Sequence, residues 1–153
     1  MAFFNAMNIS ASGLTAQRLR MDVISENIAN VNTTRTADGG PFRRKTVLFQ
    51  EIQETPFQTM FRSTLGDNDN NVGRSAGMGV RVAGVVRDYA VGPMIYDPAH
   101  PDANEEGYVQ MPNVNIVQEM VNMISASRSY EANITAINTS RALMQRTLEI
   151  GRG

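Results

Sequence analysis

Apolar residues recur at helical spacing through the last quarter of the chain, from Asn113 to Leu148. They return in alternating steps of four and three, a pattern typical of a helix packed along another helix. At 1.5 Å per residue this helix is roughly 50 Å long, more than a small domain covers by itself. On pattern alone, a core helix of an ordinary bundle is the default interpretation. One row is Ile116, Met123, Tyr130, Ile137 and Met144, and the second is Met120, Ser127, Ile134, Arg141 and Leu148.

A second, weaker helical pattern runs from about Phe3 to Val31. Gly13 lowers its helix propensity by about 1 kcal/mol relative to alanine, so the helix is marginal alone. The simplest arrangement packs the two terminal helices side by side. Asparagines from Asn27 onward suit the helix exit, because asparagine competes for backbone hydrogen bonds and tolerates the left-handed conformation. The first row is Met7, Leu14, Met21 and Ile28, and the companion row contains Ile24 and Val31 but is interrupted by Ser10 and Gln17.

The middle of the chain is predicted to be β-rich. Phe42 to Ile52 and Gly79 to Asp88 read as strands, and Met94 to Tyr96 as a short one, whereas Tyr108 to Met111 reads as a lead into the last helix. The basic run Arg43-Arg44-Lys45 allows phosphate binding, but a solvated strand edge is favoured. The predicted fold class is α+β. Paired terminal helices (1–34 and 112–153) form a coiled-coil domain around a β-rich middle domain (35–111) with a variable polar loop at about 55–78.

Composition and net charge limit the classes of partner that the chain is expected to bind. The 153 residues suit one domain, and a net charge of −1 argues against nucleic acid or an anionic membrane as the main partner. No apolar run approaches the ~18 residues of a membrane span, and the N-terminus does not resemble a cleavable signal. A cytoplasmic location is expected unless export proceeds without cleavage. The absence of cysteine excludes disulfides and cysteine zinc sites.

Candidate chemistry centres on His100, the single histidine, which lies near Asp97, Asp102, Glu105 and Glu106. A metal could use one imidazole and carboxylates. However, prolines flank His100, the chain has no second imidazole, and its glycines match no phosphate-binding loop. The sequence therefore predicts no enzyme, cofactor or metal.

Polar residues interrupt the apolar rows of the last helix at Ser127, Arg128 and Glu131. One interpretation is a solvated turn with an Arg128–Glu131 ion pair worth a few tenths of a kcal/mol. The other is a close helix–helix contact that fixes the register between subunits. The pattern leaves both open.

Two terminal motifs resemble the signatures of bacterial flagellar rod and hook proteins. The first runs from Ser12-Gly-Leu to Asn27-Ile-Ala-Asn-Val-Asn-Thr33, and the second from Pro112-Asn-Val-Asn-Ile to Ser129-Tyr-Glu-Ala-Asn133. The link from Tyr96-Asp-Pro-Ala-His-Pro-Asp102 to Glu106-Gly-Tyr-Val-Gln-Met-Pro-Asn113 is similar to that of proximal-rod members. The stretch from about Thr55 to Met78 does not match.

The resemblance implies a structural subunit of the flagellar proximal rod, a hollow helical drive shaft that passes torque from the membrane ring to the hook. It implies paired terminal helices as the inner layer, and unfolded transport through the type III export apparatus to the periplasmic basal body without signal cleavage. The implied partners are copies of the chain, other rod proteins, a FliE-like adaptor and the membrane ring. The runner-up is a soluble coiled-coil adaptor with a single partner. An enzyme built around His100 is the weakest alternative.

The resemblance and the apolar rows together predict a set of helix and subunit contacts. Ser127, Arg128 and Glu131 are the expected register-setting positions within it. The N-terminal members are Met7, Leu14, Met21, Ile24, Asn27, Ile28, Asn30 and Asn32, and the C-terminal members are Ile116, Met120, Met123, Ser127, Arg128, Tyr130, Glu131, Ile134, Ile137, Met144 and Leu148.

Overall fold

Two long helices flank small antiparallel sheets, which confirms the α+β prediction. The computed structural model describes residues 2–53, 60, 64 and 77–151, so most of the predicted loop at 55–78 lies outside the described residues. In chain order the elements are α1 (Ala2–Ala29), β1 (Lys45–Glu51), β2 (Val80–Arg87), β3 (Met94–Tyr96), β4 (Tyr108–Gln110) and α2 (Ile116–Ile150).

Each helix has a polar side chain at the end nearest the middle of the chain. The side-chain oxygen of Asn115 accepts the Gln118 amide at 3.1 Å, which caps the start of α2. At the end of α1 the Asn30 side chain donates to the Glu26 carbonyl at 2.9 Å. Asparagine therefore ends α1 as predicted, but through hydrogen bonds, since positive φ angles occur only at glycines among the described residues.

The strands form two separate pairs. β1 pairs with β2, and the Asp88 amide donates to the Arg44 carbonyl at 2.7 Å where β1 begins. β3 pairs with β4 in an antiparallel register that places Ile95 opposite Val109. The rings of Tyr96 and Tyr108 meet edge to face at a centroid distance of 5.2 Å. The strand at Tyr108–Gln110 was not predicted, because three residues carry too weak a pattern without their partner strand.

Contacts divide the chain into two compact units, and each unit contains part of both helices. The first unit holds the described residues of Met1–Ala16, Phe49–Val82 and Tyr130–Gly153, and the second holds Gln17–Leu48 and Ala83–Ser129. The division into a helical domain and a β-rich domain, which the sequence suggests, stays a prediction.

The second unit has an apolar core that helices and strands build together. Ala126 of α2 is completely buried, and Val109 of β4 is 3% exposed. α1 contributes its last turns, and the segment around β1 contributes two further side chains. The remaining buried apolar side chains of this unit are Val23, Ile24, Phe42, Val47 and Pro112.

Fewer apolar side chains are buried in the first unit, among its described residues. Ala16 is the only apolar side chain that is buried among the described residues of this unit, and the neighbouring Gly13 is buried as well. At the start of α1, Phe4 is 63% exposed, and at the end of α2 Ile150 is 81% exposed. The start of α1 and the end of α2, which we call the outer ends of the helices, thus present apolar surface to the solvent.

Candidate functional site

The two largest fully buried side chains of the described residues are polar, and they meet. Asn27 of α1 is 0% exposed and Glu119 of α2 is 1% exposed, and both belong to the second unit. Asn27 Nδ2 donates to Glu119 Oε2 at 3.0 Å. This bond directly joins the N-terminal and C-terminal sequence motifs.

The same asparagine binds the backbone where β1 begins. Its Oδ1 accepts the Lys45 amide at 2.9 Å, and its Nδ2 donates to the Lys45 carbonyl at 2.9 Å. The side-chain amide thus pairs with the Lys45 backbone as a neighbouring strand residue would. Asn27 therefore attaches α1 to β1 and to α2 at once.

Arg44 supplies the positive charge that faces Glu119. Its Nε and Nη2 donate to Glu119 Oε1 at 2.9 and 2.8 Å, and Asn122 Nδ2 donates to the same oxygen at 3.3 Å. Burying a carboxylate costs several kcal/mol unless it is paired and hydrogen-bonded. Both oxygens of Glu119 are satisfied here, so burial is possible. We call Asn27, Arg44, Lys45 and Glu119 the Glu119 junction.

The interpretation of the basic run as a solvated strand edge was wrong. Arg44 binds Glu119, Lys45 forms an ion pair with Glu26, and Arg43 Nη1 reaches the carbonyls of Tyr89 and Ala90 at 3.3 Å. The Arg44 side chain is 27% exposed. The sequence alone carried no signal for this pairing, because an acidic residue in the first turn of a helix is favourable when exposed and needs a counter-charge only when buried.

The first unit contains a second polar meeting point, which we call the Ser12 junction (Ser12, Gly13, Val80 and Asn133). Ser12 Oγ donates to the Ile9 carbonyl at 2.7 Å and accepts the Val80 amide at 3.1 Å, which attaches α1 to β2. A Cβ at Gly13 would lie 3.0 Å from the side-chain amide of Asn133. The absence of a side chain at Gly13 therefore allows α1 and α2 to approach closely.

The predicted contact residues of α1 lie on its covered side, with one exception. Ile24 and Asn27 are buried, and Asn32, which follows the helix, is exposed. The others are partly exposed: Met7, Leu14, Met21, Ile28 and Asn30.

On α2 the structure separates the two predicted rows. Met123, Tyr130, Ile137 and Met144 are partly covered, as is Ser127 of the other row. The second covered row of α2 was not predicted. It consists of small and polar residues. Its members are Glu119, Ala126, Asn133 and Ser140. The exposed members of the predicted set are Ile116, Met120, Arg128, Glu131, Ile134 and Leu148.

The first turns of α2 consequently carry an outward apolar face. Val117 is 71% exposed, Met120 and Val121 are each 55% exposed, and Ile124 is 53% exposed. We call these four residues the outer face of α2. A contiguous exposed apolar patch marks an interaction surface more often than scattered single residues do.

His100 acts within a turn. Its Nδ1 accepts the Asp102 amide at 3.1 Å, while the Asp102 carboxylate binds Thr34 at 2.8 Å and lies 3.6 Å from Arg35. Within the described ranges, no group of three or more histidine, cysteine or acidic side chains is arranged to hold a metal ion. None of the described helices combines the length and apolar character that crossing a membrane requires.

Two family models match the ends of the chain. The model described as flagella basal body rod protein matches residues 7–35, and the model described as flagellar basal body rod FlgEFG protein C-terminal matches residues 105–150. The first range contains Asn27 and the second contains Glu119.

Curated relatives extend the similarity over the whole chain. It is 48% identical to the flagellar basal-body rod protein FlgC of Borreliella burgdorferi, with 100% of both chains covered. It is 45% identical to the protein of that name from Bacillus subtilis, covering 99% of this chain and 100% of the relative. The protein of that name from Aquifex aeolicus is 38% identical, with 97% of each chain covered.

Proposed function

The chain belongs to the family of flagellar basal-body rod proteins and is a structural subunit of the rod, and we propose that the outer face of α2 and the exposed Ile134 of the same helix contact neighbouring subunits. The observation that carries this proposal is the asymmetry of α2. One side carries the buried Glu119 and Ala126, while Val117 and Met120 on another side are more than half exposed. A helix with a packed side and an apolar exposed side suits a lattice in which subunits complete one another.

The position that we propose is the proximal rod. Subunits stack there in a hollow helical assembly that transmits torque from the membrane ring to the hook. Full-length similarity to proteins named FlgC supports this assignment. Residues 1–34 and 112–153 then act as the polymerisation domain, with residues 35–111 as the β-rich middle domain inserted between them.

The proposed partners are copies of the chain, other rod proteins, a FliE-like adaptor and the membrane ring. Unfolded passage through the type III export apparatus, without signal cleavage, delivers the chain to the periplasm in this proposal. A chain without cysteine suits this route, because it folds unaltered in either redox compartment. The alternative of a soluble single-partner adaptor is less favoured, since the relatives are named as rod proteins.

The contact role is tested with Ile134→Asp, which places a charge at a 37% exposed position of α2. We expect loss of rod assembly and of swimming, because a carboxylate buried between subunits has no counter-charge. Secretion of the Ile134→Asp chain into the medium should continue. The matched control is Asn138→Asp, which adds the same charge at an exposed polar position one turn later.

Normal swimming of the Ile134→Asp strain would contradict the proposed contact, as would an equal defect in the Asn138→Asp strain. A complex of fixed stoichiometry, without association with the basal body, would favour the adaptor instead.

We also propose that the chain has no catalytic role. The geometry of His100 supports this, because Nδ1 is occupied by a backbone amide of its own turn. His100→Ala is expected to leave swimming speed unchanged. Complete loss of motility with normal rod assembly would revive the enzyme hypothesis.

A further inference from the structure

We propose that α1 and α2 of the second unit can pair only when β1 is docked, because Arg44 supplies the charge that permits burial of Glu119. The inference goes beyond the proposed function, since it concerns how an isolated subunit becomes competent to assemble. In this account Arg44 and Glu119 are positioning residues, and neither needs to touch a neighbouring subunit.

The charge of Glu119 is balanced from the segment before β1 and not from α1. Glu119 is 1% exposed and lies on α2, and among the described side chains of α1 its hydrogen-bond partner is the neutral amide of Asn27. The two donors that carry a positive charge come from Arg44, directly before β1. Helices that paired without the strand would bury a carboxylate with two neutral hydrogen bonds, from Asn27 and Asn122, and no counter-charge, which is strongly unfavourable.

The orientation of Asn27 is also fixed by this strand. Its Nδ2 has two hydrogens, and one binds the Lys45 carbonyl while the other binds Glu119. Its Oδ1 is held by the Lys45 amide. The strand thus fixes the amide plane that presents a donor to Glu119, so undocking β1 loosens the remaining helix-to-helix bond as well.

The segment before β1 is also bound to Asn113. The Arg44 amide donates to Asn113 Oδ1 at 3.0 Å, and Asn113 lies shortly before the start of α2. Successive backbone amides are therefore held by two different ends of the chain, Arg44 by Asn113 and Lys45 by Asn27. Docking of β1 consequently requires both terminal segments to be in place, and the dependence is mutual.

The test is a two-residue cycle in the full-length isolated chain, with exchange of the Lys45 amide hydrogen as the readout. Arg44→Ala leaves Glu119 buried without its counter-charge, and we expect Lys45 exchange to accelerate on the order of a hundredfold. Glu119→Gln needs no counter-charge and still offers an acceptor to Asn27. The double variant Arg44→Ala/Glu119→Gln should therefore return to within about tenfold of the wild-type rate.

Arg43→Ala is the matched control, because it removes a neighbouring cation that contacts the Tyr89 and Ala90 carbonyls rather than Glu119. It should stay within about threefold of the wild-type rate. Rescue by Glu119→Gln separates the charge effect from lost packing, since a residue that acts only by packing is not rescued by neutralising its partner.

Three results would overturn the proposal. One is equally fast exchange in Arg44→Ala and in the double variant. Another is an Arg44→Ala rate equal to that of Arg43→Ala. The third is a wild-type Lys45 amide that exchanges at the rate of an unprotected peptide, because the strand would then be undocked in the isolated subunit.

Discussion

The two units differ in how many apolar side chains are buried among their described residues. Among the described residues, the second unit contains seven buried apolar side chains together with buried Asn27 and Glu119, whereas the first contains Ala16. The exposed apolar ends of both helices lie in the first unit, including Phe4, Leu148 and Ile150. We infer that neighbouring subunits cover these exposed ends when the rod assembles.

The two junctions both attach α1 to a strand and bring it against α2, but they do so with different chemistry. The Ser12 junction uses a hydroxyl, a glycine and a neutral amide. The Glu119 junction buries a carboxylate under a guanidinium. Loss of a neutral hydrogen bond typically costs about 1 kcal/mol, and breaking a buried ion pair about 3–5 kcal/mol. The second unit should therefore be the less tolerant of substitution.

Asn27→Leu should produce the largest effect. The substitution nearly conserves volume. It removes the side-chain partner of the Lys45 amide and carbonyl, and it removes one of the hydrogen bonds to Glu119. We expect the free energy of unfolding to fall by about 3 kcal/mol or more, measured by urea denaturation. Asn32→Leu, at an exposed position, should stay within about 0.5 kcal/mol. Similar losses for both variants would remove the distinction between buried and exposed asparagines.

Ala126→Leu tests the packing of the second unit. Ala126 is 0% exposed, so three additional carbons must displace neighbours, and we expect a loss of about 1–3 kcal/mol in the same assay. Ala132→Leu makes the same change at an exposed position of α2 and serves as the control. A neutral Ala126→Leu would mean that this part of α2 is not tightly packed in the isolated subunit.

Ser12→Ala tests the first unit. It removes the acceptor of the Val80 amide, and we expect a local loss of about 1 kcal/mol, seen as faster exchange of that amide. The amide of Lys45 in the second unit should keep its rate. Ser25→Ala, at an exposed position of α1, is the control. Acceleration of both amides to the same extent would indicate one cooperative unit instead of two.

Gly13→Ala should have the smallest effect on the isolated subunit. Alanine favours the helix by about 1 kcal/mol relative to glycine, but its Cβ would crowd the Asn133 side chain at 3.0 Å. These terms nearly cancel, so the free energy of unfolding should change by less than about 1 kcal/mol. A loss above about 2 kcal/mol would show that α1 and α2 are already tightly packed at this level in the isolated chain.

The sequence predicted those parts of the fold that local periodicity specifies. α2 could be predicted because its apolar rows recur over the whole segment without proline or glycine, and the row through Met123 and Tyr130 is partly covered. Glu119 was missed because its burial depends on partners 75 and 92 residues away in the chain. A carboxylate within an apolar stretch reads as an exposed position until its counter-charge is located.

The same reason explains the errors in the middle of the chain. Arg44 looked like a solvated cation, since only the folded chain brings Glu119 to it. β4 is three residues long, and its strand character comes from pairing with β3. The predicted roles of Ser127, Arg128 and Glu131 in setting register between subunits remain predictions.

The most direct test of the account is residue-resolved hydrogen exchange along both helices of the isolated full-length subunit. We predict protection of residues 17–29 and 116–129, which lie in the second unit, and nearly unprotected exchange at residues 4–10 and 141–150. Incorporation into the rod should then protect the outer ends. Uniform strong protection along both helices before assembly would contradict the account, because the first unit would then need no neighbouring subunit.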